Sequence, residues 1–433
     1  MKRSLYQKFS RELITTIRNC EFCDKKMLKD RKSLDLIFDD MLENEENEIE
    51  IKKDFMKLLD ILNHYLIVLS NQQINYIYEL LMKNLNNDIN EIIVLFLKEL
   101  LEDLEDFNAE SIIKFMDFFM LNIDNNDICI CVLFLSKTNK YCACKVASKF
   151  NNDIIIKLLQ SNDKIAIELL TEFVKYPELT QISLDFLPLI LEIIISTSDF
   201  NILNLCLCLL LESLNNINLF DFYIDNSYLK QIFINQIGDD KNLELKLAFL
   251  RDLSSFSKKA DKIIFKNDLF PFVYNSFING NNIVKCYCVD IFRIISEFNS
   301  SLNDLLYESN CIDLLLNLLH EDSSIQLIIC TFIALLTIFN NSQAYQQLQI
   351  INSDFLDVFC DYFNSIPLNY LEILTLKLLE IIKKAELNSN NKILFYFYNN
   401  KTLIELYSDL ISNEKKEPIL TYALSFISRN YSF

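Results

Sequence analysis

Two glycines serve a chain of 433 residues, where average usage would place roughly 30. With only five prolines beside them, the chain lacks the residues that tight turns and left-handed corners demand. Folds with many tight turns are therefore excluded. So are phosphate-cradling loops, which need several glycines for close backbone approach: Gly238 and Gly280 stand alone, and neither a Walker nor a Rossmann fingerprint exists. Clusters of Asn, Asp and Ser mark the turns instead, at Asn86-Asn87-Asp88, Asn151-Asn152-Asp153, Asn281-Asn282 and Asn388-Ser389-Asn390-Asn391. Such residues also cap helix starts.

Between these clusters the apolar residues recur at helical spacing, as in Ile92, Ile93, Leu95, Phe96, Leu97, Leu100, Leu101 and Leu104. Hydrophobic residues make up 51% and charged residues 23%, a balance that supports a large core rather than disorder. The chain reads as helix throughout.

One local pattern repeats down the chain: apolar, small, apolar, variable, then two apolar residues. Its small member falls at Cys129, Ala166, Cys208, Ala248, Cys288, Cys330, Thr375 and Ala423, with successive spacings of 37, 42, 40, 40, 42, 45 and 48. Most lie near the 40-to-47 period of HEAT and armadillo repeats. A second marker drifts in step. The helix before each repeat's polar turn is expected to begin near Leu229, Phe270, Ile312, Leu356 and Leu403, spacings of 41, 42, 44 and 47. Each repeat then consists of a short helix, a polar turn such as His320-Glu321-Asp322, and a longer apolar helix that stacks on its neighbours, the small residue letting backbones approach. The predicted fold is an all-α, right-handed α-solenoid of the armadillo/HEAT type. Residues 51–433 are expected to form its continuous array, and residues 1–50 a basic helical segment with an acidic loop that caps it.

The formal net charge of −19 repels phosphate backbones, so nucleic acid is not an expected partner. The charge is uneven: residues 1–32 hold ten Lys or Arg against four acids, +6, leaving about −25 for the rest. That opening lacks the apolar stretch of a secretory signal and reads as a solvated helix. The stretch Ser323–Ser353 carries no charge, but its apolar core, Ile325–Phe339, is 15 residues, short of the ~20 that span a bilayer. A buried helix is expected there, and no membrane association. Thirteen cysteines, an odd number in a long chain without a signal peptide, point to a reducing cytoplasm or nucleus.

The cysteines look most like chemistry: Cys20-x-x-Cys23, Cys129-x-Cys131, Cys142-x-Cys144, Cys206-x-Cys208 and Cys286-x-Cys288. Residues two apart on a helix point about 200° from each other, so Cys-x-Cys cannot close on one metal. Several of these cysteines also occupy the small-residue register, where Ala and Thr replace them, so packing volume is what the position requires. Neither metal nor cofactor is expected. Only His64 and His320 are available as bases for a nucleophile, and neither sits in a catalytic motif. The chain does not read as an enzyme. Absence of Trp also removes the stacking half of the Trp and Asn ladder by which importin-alpha-type armadillo proteins read basic signals.

Near the C-terminus the order of features, Thr337-Ile338-Phe339-Asn340-Asn341-Ser342-Gln343-Ala344-Tyr345, then Ser353-Asp354-Phe355-Leu356-Asp357-Val358-Phe359, then Phe397-Tyr398-Asn399-Asn400-Lys401-Thr402-Leu403, resembles the proteasome regulatory-particle assembly chaperone family called non-ATPase regulatory subunit five. The likeness is one of spacing and residue class between about Thr337 and Pro418. It implies a protein that holds the C-terminal domain of a proteasomal ATPase on a concave face during assembly, as a monomer within a hetero-complex. The partner-binding residues are then expected among Glu372, Glu380, Tyr396, Tyr398 and Asp409. A generic repeat scaffold or adaptor for another protein complex is the alternative the same repeats allow.

Overall fold

The computed structural model describes residues 26–27, 32–44, 47–66, 69–83, 87–102, 113–123, 125–150, 152–161, 163–214, 228–234, 240–256, 268–298, 303–321, 323–413 and 418–430. Cys20, Cys23, Gly238, most of the basic opening and part of the acidic loop lie outside them. The fold is all-α. Among the described residues the one extended pairing is two residues long, Lys26–Met27 beside Tyr65–Leu66 in parallel. The chain divides into two compact units, Met1–Ser183 and Leu184–Phe433, and the division falls inside a short helix.

The first unit holds α1 (Lys32–Glu43), α2 (Glu48–His64), α3 (Asn71–Met82), α4 (Asn87–Glu102), α5 (Met116–Leu121), α6 (Asn126–Thr138), α7 (Lys140–Lys149), α8 (Asn152–Ser161), α9 (Asp163–Val174) and the dividing helix α10 (Thr180–Asp185). Asn and Ser side chains start several of them: Ser70 forms a reciprocal capping box with Gln73 at α3, and Asn125 accepts from the Asp127 and Ile128 amides at α6. Helices α2, α4, α6 and α9 pack in chain order over one apolar core. Phe55 of α2 meets Phe96 of α4 edge-on at 5.6 Å.

The second unit holds α11 (Leu187–Ser196), α12 (Phe200–Ser213), α13 (Tyr228–Ile234), α14 (Asp240–Phe256), α15 (Phe270–Asn279), α16 (Asn282–Phe298), α17 (Asn303–Glu308), α18 (Cys311–Leu318), α19 (Ile325–Asn341), α20 (Ala344–Ile351), α21 (Phe355–Tyr362), α22 (Leu368–Leu387), α23 (Asn391–Tyr398), α24 (Lys401–Asn413) and α25 (Pro418–Asn430). The few prolines sit where a helix tolerates them: Pro188 and Pro271 in the first turns of α11 and α15, Pro418 first in α25, Pro367 at the N-cap of α22. The long helices α12, α14, α16, α19, α22 and α25 pack each on the next. All eight register residues lie on long helices, Cys129 on α6, Ala166 on α9 and the other six on this run; each is buried or half-buried.

Helices expected near Leu229, Phe270, Ile312, Leu356 and Leu403 begin at Tyr228, Phe270, Cys311, Phe355 and Lys401. Each later repeat also has a third member. A helix of six to eight residues precedes the pair at α17, α20 and α23; the chain runs short, short, long over α17–α19 and α20–α22, whereas α24 and α25 have 13 residues each. Side-chain hydrogen bonds then join equivalent points one repeat apart. Asn242 donates to Asn204, Asn281 to Glu244 at 3.2 Å, Gln346 to Asp304 at 2.7 Å and Asn400 to Asp357 at 3.4 Å. In the first unit Lys98–Asp127 and Lys137–Glu168 tie the end of one long helix to the first half of the next at 3.1 and 2.6 Å.

Helix α19 is the uncharged segment noted in the sequence. Leu327–Ile329 and Thr331–Phe339 on it are all buried, because α16 and α22 flank it and α18 and α20 close its remaining side. No helix among the described residues is long and apolar enough to cross a membrane.

Candidate functional site

The spacing between first helices of successive triplets grows from 41 residues, α17 to α20, to 47, α20 to α23. Much of that increase sits in α22, whose 20 residues exceed the 17 of α14, α16 and α19. Between α20–α21 and α23 lies an open groove of about 740 Å³.

Leu348 and Ile351 of α20, Leu356 of α21 and the ring of Tyr396 supply its apolar lining, and Phe395 stands at it 71% exposed. An aromatic ring left in water on a helix whose Ile393, Leu394 and Phe397 are buried is not needed for packing α23. Tyr396 is held differently. Its hydroxyl donates to the Ile350 carbonyl at 3.5 Å, linking α23 to α20. Burial pushes that hydroxyl well above the ordinary tyrosine range, and the Asp357 and Asp354 carboxylates push the same way, so it stays a neutral donor.

The polar lining is dominated by amides: Asn352, which ends α20, Asn391, which begins α23, and Asn399 and Asn400, which follow it. Asn400 is occupied, accepting from the Leu403 amide at 2.9 Å as the cap of α24 and donating to Asp357. The side chains of Asn352, Asn391 and Asn399 make no hydrogen bond among the described residues. Two charges line the groove, Asp357 from α21 and Lys392 from α23, and neither forms an ion pair among the described residues. Asp354 and Asp361 extend the carboxylate row along α21, both exposed.

Of the residues expected to bind a partner, Tyr396 lines this groove. Tyr398 is half-buried and donates to Glu386 at 3.0 Å. Glu372 and Glu380 lie on α22, Glu380 beside Lys377 at 4.0 Å, and Asp409 is exposed on α24. None of these four borders the groove. What sequence reading missed is the set on the short helices: Leu348, Ile351, Asn352, Asn391 and Phe395. The signal was there in Phe395-Tyr396-Phe397-Tyr398, where buried Phe397 leaves Phe395 on the far side of a helix.

His320 meets Asp354 at 3.2 Å with both side chains about half exposed, and the side chain of His64 lies outside the described ones. Among the described residues no three His, Cys, Asp or Glu side chains gather as a metal site. The thiols are packed instead. Burial pushes Cys311 up to about 11 and Cys360 to about 12, and Cys131 and Cys288 further still.

No protein-family model matches this chain, and no curated protein matches it.

Proposed function

We propose that the chain is a non-catalytic protein-binding α-solenoid of the armadillo/HEAT type, right-handed, and that its C-terminal repeats receive a partner in the groove between α20–α21 and α23. The solenoid reading is supported by the recurring helix triplets of the second unit and by long helices packed in chain order within each unit. The observation that carries the binding reading is Phe395, 71% exposed above an apolar lining. Covering a Phe side chain contributes roughly 1.5 to 3 kcal/mol, and exposed aromatics of this kind anchor interfaces. The net charge of −19 steers basic surfaces toward the molecule and adds to the rate of encounter more than to affinity.

The resemblance of residues 337–418 to the regulatory-particle chaperones names the first partner to try, the C-terminal domain of a proteasomal ATPase, and with it a cytoplasmic or nuclear role as a monomer in a hetero-complex. An assembly chaperone of this kind covers the ATPase tail and leaves when the base docks onto the core particle. The test titrates the wild-type chain and its Phe395→Glu variant with each purified base ATPase domain. It also compares what the two chains retain from the native cell at mild salt. Binding of one ATPase domain, lost with Phe395→Glu, supports the chaperone. Another retained protein whose recovery needs Phe395 supports a scaffold or adaptor. Retention that ignores Phe395 overturns the groove as the binding surface.

A further inference from the structure

The occupant's conformation is legible in the groove's polar groups. Asn352, Asn391 and Asn399 each offer a donor and an acceptor that no described residue uses, around an apolar floor. A helical partner satisfies the main chain of its interior internally, so along its length only side chains reach those amides. An extended segment presents one N–H and one C=O per residue, and its side chains alternate, so every second one meets the floor while the amides take the backbone. Asp357 on one wall and Lys392 on the other, unpaired in ions, give the groove a polarity. The row Asp354, Asp357 and Asp361 makes the α21 wall the acidic one.

We propose that the groove binds an extended segment of a partner protein with apolar side chains at alternate positions, its basic residue on the Asp357 wall and its acidic residue toward Lys392. The proposal rests on the protein-binding reading of this same groove and adds to it the partner's conformation, composition and direction.

The test uses the full chain and a phage-displayed library of random peptides, followed by titration of a synthetic copy of the selected sequence. Selected peptides should share alternating apolar residues and a basic residue. Affinity should fall about tenfold or more with Phe395→Ala, with Asn399→Ala, and on N-methylation of peptide amides that face the groove. Asp357→Lys should weaken the parent peptide and favour its Lys→Glu counterpart. Unchanged melting of each variant separates lost binding from lost fold. Three results overturn the proposal: no peptide selected, selected peptides that bind Phe395→Ala as tightly as wild type, or a bound peptide that turns helical and tolerates N-methylation. Should the native partner still require Phe395 in any of these cases, only the extended mode falls and the protein-binding function stands.

Discussion

Gly280 ends α15 with φ of −82°, a conformation open to any residue. What requires glycine is space: a Cβ there would fall on the Val284 side chain and lie 2.6 Å from the Ser276 carbonyl oxygen, whose bond from the Gly280 amide ends the helix. Gly280→Ala should cost about 1 to 3 kcal/mol by overpacking, read as a lower urea midpoint with unchanged m-value. The Tyr407 hydroxyl meets Thr375 Oγ1 at 2.7 Å where both residues are fully buried, and Thr375 also donates to Leu371. Tyr407→Phe leaves that hydroxyl its backbone partner and should cost about 1 kcal/mol, whereas Tyr407→Ala opens a cavity and should cost about 3 to 5. The buried thiols and phenols set an alkaline limit. Cys311, ordinarily 9.0, is held to about 11 and Tyr307, ordinarily 10.0, to about 12. Between those limits the folded chain keeps protons that the unfolded chain has lost, so stability falls as pH rises above 9. Urea midpoints that decline from pH 8 to pH 10 would agree; a flat profile would not.

Among elements, α19 carries the most concentrated packing. Its Phe332 lies edge-on to Phe355, Phe359 and Tyr362 at 5.6, 5.2 and 6.3 Å, joining the long helix of one repeat to α21 of the next. Phe332→Ala should therefore destabilise by about 3 to 5 kcal/mol, a loss seen as a fall in melting temperature. The long helices and the paired helix before each turn were legible because their apolar period persists and Asn or Asp marks their ends. The short first helices α17, α20 and α23 were not. Their polar openings, Asn303-Asp304, Gln346-Gln347 and Asn391-Lys392, read as continuations of the polar turns before them. Since the groove is built on α20 and α23, the candidate site stayed hidden with them, and Tyr396 alone of the expected residues falls on it.

At the scale of the molecule, the register of small residues marks helices that pack in chain order within each unit, Cys129 and Ala166 on α6 and α9 of the first, and Cys208 to Ala423 on the long helices of the second. Spacing changes near the site as well: the step from 41 to 47 residues between first helices accompanies the drift visible in the last register intervals, 45 and 48. Its meaning depended on packing, because an added turn in α22 and a longer surface loop look alike in a count of residues. The claim that a partner occupies this groove is tested most directly by hydrogen–deuterium exchange of the full chain with and without the protein it retains from the native cell. Slowed exchange confined to residues 344–362 and 391–400 is the predicted result. Protection that falls instead along α22, around Glu372 and Glu380, or that leaves both short-helix segments unchanged, would contradict it.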